Sequence, residues 1–180
     1  METPDGAQTR AATSARFPGA TSLTLRASPR TPAEPMRFTG GDFAAGAVTA
    51  WVLFLILHQL ALLVPLWGYG IAGLAYTLPW SAGALLLGSP LAYLLGWTLR
   101  RQPSIAVHLV AFSLFGAIIG LGTTALALAM PPPWGLGIGF GSDLTPAVIV
   151  AASAVPAVAL GWWAAARSAL LDDKRSADSA

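Results

Sequence analysis

Two histidines, His58 and His108, are the ionisable side chains whose setting invites a chemical role. Each lies within a long apolar run, and an ionisable group at membrane depth is by default a functional candidate, as a proton carrier or as a hydrogen-bonding group. His58 is followed by Gln59, and together they form the chain's candidate functional polar pair. The expected role is an interhelical hydrogen bond, with Thr123 or Thr124 as partner, and the alternative is a proton relay. His58 precedes Trp67 by nine residues, which places it about 13 Å inside one membrane interface. His108 falls about a turn inside the other and reads as an interfacial histidine. In a core of about 30 Å the two differ in depth by about 10 Å, so they cannot share a metal ion in a monomer.

Other chemistry is poorly supplied. No His-Glu pair at helical metal-ligand spacing, no paired carboxylates within the apolar runs and no serine in a nucleophile-elbow context occur. The chain has no cysteine, which excludes disulfides, thiolate metal sites and thiol relays. Asp143 stands alone and reads as a helix cap. The expectation is therefore no catalytic residue, no cofactor, no metal site and no enzymatic activity.

The elements that must position the histidines follow from composition. The chain has 180 residues, is 55% hydrophobic and 10% charged, and has a mean hydropathy of +0.64, which is too apolar for a water-soluble domain of this length. Between Phe43 and Ala166 the only charged side chains are Arg100, Arg101 and Asp143. A helix crossing the bilayer core needs about 20 apolar residues, and four runs suffice: Phe43 to Leu66, Leu78 to Leu99, Ser104 to Met130 and Thr145 to Ala166. The predicted fold is all-α, a polytopic membrane protein of four transmembrane helices arranged as two tandem hairpins, residues 41–101 and 102–168. Residues 1–40, rich in Ala, Thr, Ser, Pro and Arg, read as a disordered basic tail, and 169–180 as a cytoplasmic C-terminal tail.

Every Lys and Arg falls before span one, between spans two and three, or after span four. By the positive-inside rule this places both termini and the middle loop in the cytoplasm, and predicts a multi-pass protein of the cell membrane. The excess of Arg over Lys, with abundant Ala and Gly, suggests a bacterial source. The dispersed charges lack the interleaved aromatics of a nucleic-acid footprint, so no nucleic-acid partner is expected.

A repeat organises the two hairpins. Pro65-Leu66-Trp67-Gly68-Tyr69-Gly70-Ile71 and Pro132-Pro133-Trp134-Gly135-Leu136-Gly137-Ile138 share Pro-x-Trp-Gly-x-Gly-Ile at a spacing of 67 residues, and Pro79, Pro90 and Leu95-Gly96-Trp97 are echoed by Pro146, Pro156 and Leu160-Gly161-Trp162. The order of elements predicts an internal duplication of the parallel type. By analogy with Ile138 to Asp143, the stretch Ile71 to Tyr76 is expected to be loop, with Thr77 as a cap and Pro79 in the first turn of span two. The repeated outer loops, carrying Trp67, Gly68, Gly70, Trp134, Gly135 and Gly137, are candidate functional segments. Trp97, Trp162 and Trp163 mark the inner interface.

Small residues predict where helices meet, because close backbone approach drives association in lipid. On span three they are Ser113, Gly116, Gly120, Thr123 and Ala127. Span one, bulky from Trp51 to Ile56, is placed toward lipid. Such faces suit partner helices, so the leading expectation is a non-enzymatic interaction or accessory subunit, with the lipid bilayer and another membrane protein or a second copy as partners. The alternative is a permease, channel or transport-system component, with the Gly-rich loops lining a pathway.

Overall fold

The structure is a computed structural model that describes residues 28–63, 70–130 and 144–178. It is all-helical, with α1 (Gly40–Leu63), α2 (Gly70–Leu99), α3 (Ile105–Ala129) and α4 (Thr145–Asp178). All four are long and apolar enough to cross a membrane. A Thr-x-x-Asp capping box starts α1: the Asp42 N–H donates to Thr39 Oγ1 at 3.1 Å, and the Thr39 N–H donates to Asp42 Oδ2 at 3.0 Å. Ser104 precedes α3 in an extended conformation, and the Met130 N–H closes its far end on Leu126 O. Pro146 falls in the first turn of α4, where no amide donor is needed.

Three boundaries differ from expectation. The stretch Ile71 to Tyr76 is helical, so Thr77 and Pro79 lie inside α2. The helix tolerates Pro79 as it tolerates Pro90, because neighbouring helices and hydroxyls can re-satisfy freed carbonyls in an apolar setting. The fourth helix does not end at Ala166 but runs to Asp178, 34 residues in all and about 51 Å long, so most of the C-terminal tail continues it past the membrane core. Residues 28–39, placed by composition in a disordered tail, form a defined strap. The Glu34 N–H donates to Thr31 O at 3.0 Å, and the Met36 N–H donates to Arg100 O at 3.1 Å.

The helices form a ring in the order α1, α4, α3, α2, and among the described residues no contact crosses its diagonals. The packing around the ring is uneven: α4 packs closely against both α1 and α3, whereas α2 touches α1 and α3 sparsely. Thus α3 and α4 make a tight hairpin, while α1 favours α4 over its own hairpin partner. Its assignment to lipid holds for one face, where Val48, Val52, Ile56 and Leu60 are exposed, and the reason the other face packs on α4 lies ahead of the bulky run. Gly46 of α1 sits over Gly161 and Ala165 of α4, and Gly161 in turn meets Ala50. Backbones approach closely where side chains are smallest.

The α3–α4 seam works the same way. A Cβ added at Gly116 would lie 2.9 Å from Ala154 O, and one at Gly120 would lie 3.2 Å from the Ala154 Cβ. The buried stripe of α3 is His108, Phe112, Gly116, Gly120, Thr124 and Ala127. Ser113 and Thr123, drawn on the same face by sequence, are only half-buried. The stripe advances mainly by steps of four, which shifts it by one residue from the alternation of three and four.

Candidate functional site

The ring encloses a slot of about 640 Å³, partly open and lined by all four helices. Among the described residues its lining carries no Asp, Glu, Lys or Arg. Small side chains make the space: Ala47 and Ala50 on α1, and Ala84, Gly88 and Ala92 on α2. Aromatic groups such as Trp51, Phe54, Trp80 and Phe115 wall it. Along α1 the lining runs from Phe43 to Leu62, about 28 Å at 1.5 Å per residue. A volume of 640 Å³ spread over that length corresponds to a mean section of about 23 Å². A methylene chain with a contact diameter of about 4 Å fits.

His58 lines this slot. It is 7% exposed and stacks on Phe54, ring centroids 5.2 Å apart at 15°. Its Nδ1 and the Nε2 of neighbouring Gln59 are buried without a hydrogen-bond partner. The bond to Thr123 or Thr124 expected from sequence is absent, because both hydroxyls turn back on their own helix. Thr123 Oγ1 donates to Ile119 O at 2.7 Å and Thr124 Oγ1 to Gly120 O at 2.8 Å, the usual resort of a threonine within an apolar helix. Ser81 and Ser89 behave alike, donating to Leu78 O and Leu85 O. Trp51 Nε1 donates to Ser81 Oγ at 3.0 Å and ties α2 to α1 across the slot.

At the basic end the slot closes on an aromatic stack that sequence reasoning missed. His108 is fully buried and lies parallel to Trp162 at 4.7 Å and 14°, while Phe112 stacks on the same indole at 5.7 Å. His108 Nδ1 donates to Ser104 O at 2.9 Å, and its Nε2 is buried with no partner. Trp162, expected at the interface, is therefore a core residue, and its Nε1 is likewise buried and unpartnered. Trp97 and Trp163 do lie exposed, each beneath a guanidinium, Arg100 at 4.0 Å and Arg167 at 5.2 Å. A signal for Trp162 existed in the small residues around it: Ala154, Ala157, Gly161, Ala166 and Ala169 place it on the buried face of α4.

The strap covers the same end. Arg30, its side chain 9% exposed, pairs with Asp173 of α4 at 2.6 Å and with Asp42 of α1 at 3.5 Å, and donates to Ala169 O at 3.1 Å. Glu34 accepts from Arg100 Nε at 2.8 Å and pairs with Arg37 at 3.3 Å. The guanidinium of Arg100 holds the Glu34 carboxyl below the usual glutamate range. These contacts join the strap, the start of α1, the C-terminal extension of α4 and the loop after α2.

The repeated-loop residues Trp67, Gly68, Trp134, Gly135 and Gly137, and the expected cap Asp143, lie outside the described residues, while Gly70 opens α2. Among the described residues no group of three His, Cys, Asp or Glu side chains gathers to hold a metal. No family model, no curated protein and no solved structure matches this chain.

Proposed function

We propose that this protein is a non-enzymatic component of a membrane system that handles an apolar molecule, and that it receives the chain of that molecule in the slot between α2 and the other three helices. The observation that carries the reading is the slot's combination of section, length and lining: wide enough for a hydrocarbon chain, nearly as long as the bilayer core is thick, and without a formal charge among the described residues that line it. His58 is among the polar side chains that line it, partway along. This is the transport-component reading, narrowed to an apolar cargo. The basic end, with the strap and the α2–α3 loop, faces the cytoplasm of a bacterial cell membrane in this proposal.

The accessory-subunit reading draws its support from small-residue faces free for partner helices. Gly116, Gly120 and Gly161 are engaged within the chain, so that support is weaker, and a partner helix would need an outer face such as that of α2, where Leu86 and Leu87 are exposed, or of α3, where Leu114 and Ile118 are.

The test is purification of the tagged protein in mild detergent at native expression level, followed by mass spectrometry of both lipids and proteins. A retained apolar molecule that is lost when Ala84→Leu and Ala92→Leu fill the slot establishes the proposal. A single stoichiometric membrane protein with no retained molecule establishes the accessory role instead.

A further inference from the structure

We propose that a recess at the basic end, between α4 and the start of α3, binds the phosphate headgroup of an anionic phospholipid. The recess has a volume of about 330 Å³ and includes Trp163, Arg167, Leu170, Leu171 and Lys174 of α4 with Ile105 of α3 in its lining. It is distinct from the slot, from which Trp162 divides it.

Charge complementarity identifies the occupant. At this end Arg30, Arg37, Arg100 and Arg175 each have a carboxylate partner. Among the described residues the cations without an ion pair are Arg101, Arg167 and Lys174, and two of these three line one recess. Arg167 and Lys174 are two turns apart on one helix, about 10.5 Å along its axis, and two long side chains can converge from that distance on one phosphate. Arginine supplies a planar fork suited to phosphate oxygens and lysine a point charge.

The surroundings suit a lipid and not a soluble anion. Arg167 lies over the Trp163 indole at 5.2 Å, and tryptophan is the side chain of the headgroup level. Ile105, Leu170 and Leu171 are exposed beside the charges, ready to take the glycerol and the first methylenes of the acyl chains. A basic recess between helices on the positively charged side is the kind of place where anionic headgroups bind.

The experiment is native mass spectrometry of the full chain in detergent, supplied with equimolar phosphatidylglycerol and phosphatidylcholine. The wild type is expected to retain phosphatidylglycerol in preference. Arg167→Gln and Lys174→Gln should each lower that preference about fivefold, and the double variant should lower it further than either alone. Both side chains are exposed, so the fold should survive, and the charge-retaining pair Arg167→Lys with Lys174→Arg should keep most of the preference. Arg101→Gln removes an unpaired cation outside the recess and should leave the ratio within about twofold. The proposal is overturned if the double variant keeps the wild-type ratio, if Arg101→Gln lowers it as much, or if soluble glycerol phosphate displaces the lipid at matched concentration.

Discussion

Gly161 of α4 lies so close to Ala50 of α1 that a Cβ built on it would stand 2.5 Å from the Ala50 Cβ and 2.8 Å from the Ala50 Cα and N. The last two are backbone atoms and cannot turn aside, so the helices must separate to admit one methyl group. Gly161→Ala is expected to destabilise the bundle by about 1–3 kcal/mol, read as a lower unfolding midpoint in denaturing detergent. Ala50→Gly should recover only part of the loss, because the backbone clash remains. Gly122, with nothing within 4 Å of its added Cβ, provides the contrast: Gly122→Ala should be neutral or stabilising by up to about 1 kcal/mol through helix propensity.

Arg30 bridges the beginning of α1 and the extension of α4 through Asp42 and Asp173. Because the guanidinium is nearly buried while its carboxylates are partly exposed, the pair lies between the surface and interior limits. A double-mutant cycle of Arg30→Met and Asp173→Asn should return a coupling of about 1–3 kcal/mol. Either single variant should also make the strap more susceptible to proteolysis near residue 30. A coupling within about 0.3 kcal/mol of zero would mean that the strap rests on Met36 and Phe38 instead.

The Glu34–Arg100 contact makes the strap sensitive to acid. The Glu34 carboxyl titrates below its ordinary value because Arg100 donates to the ionised form. A group with a depressed folded pKa contributes stability that is fully present above the unfolded value, about 4.3, and is lost as pH falls through the folded one. Hydrogen exchange at the Met36 amide, bonded to Arg100 O, should therefore be protected at pH 6 and accelerate, relative to its intrinsic rate, as pH drops below about 4. In Glu34→Gln this acid-dependent step should disappear.

What the sequence revealed and what it hid divide along physical lines. Hydropathy located α1 and α3 to within a few residues, because a membrane span is set by length and composition. The faces were harder. Trp162 and Trp163 are neighbours with the same interfacial preference, yet one is buried and the other exposed, a choice made by rotation of α4 against α1 and α3. His108 looked interfacial because its depth was counted from the end of the span. Depth and burial are separate quantities: the His108 ring packs on Trp162, although residues 105–107 of the same turn are exposed. Thr123 and Thr124 were natural partners for His58 by depth, but an intrahelical acceptor lies four residues back in each case. A bond available within the helix requires no particular approach of another.

His58 is where stability and function are expected to part. Its ring packs on Phe54 while Nδ1 stays buried without a partner, and an unsatisfied buried polar atom costs about 1–3 kcal/mol. A phenyl ring keeps the stacking and removes the orphan atom, so His58→Phe should raise the unfolding midpoint. If the histidine serves the molecule held in the slot, the same variant should retain less of it after purification, whereas His58→Gln, which keeps a hydrogen-bonding group without titrating, should retain it. The comparison of bound molecule per protein, by mass spectrometry of extracted lipid, separates the roles. Equal loss in both variants at unchanged stability would point to a titrating imidazole, and unchanged retention in both would leave His58 a packing residue only.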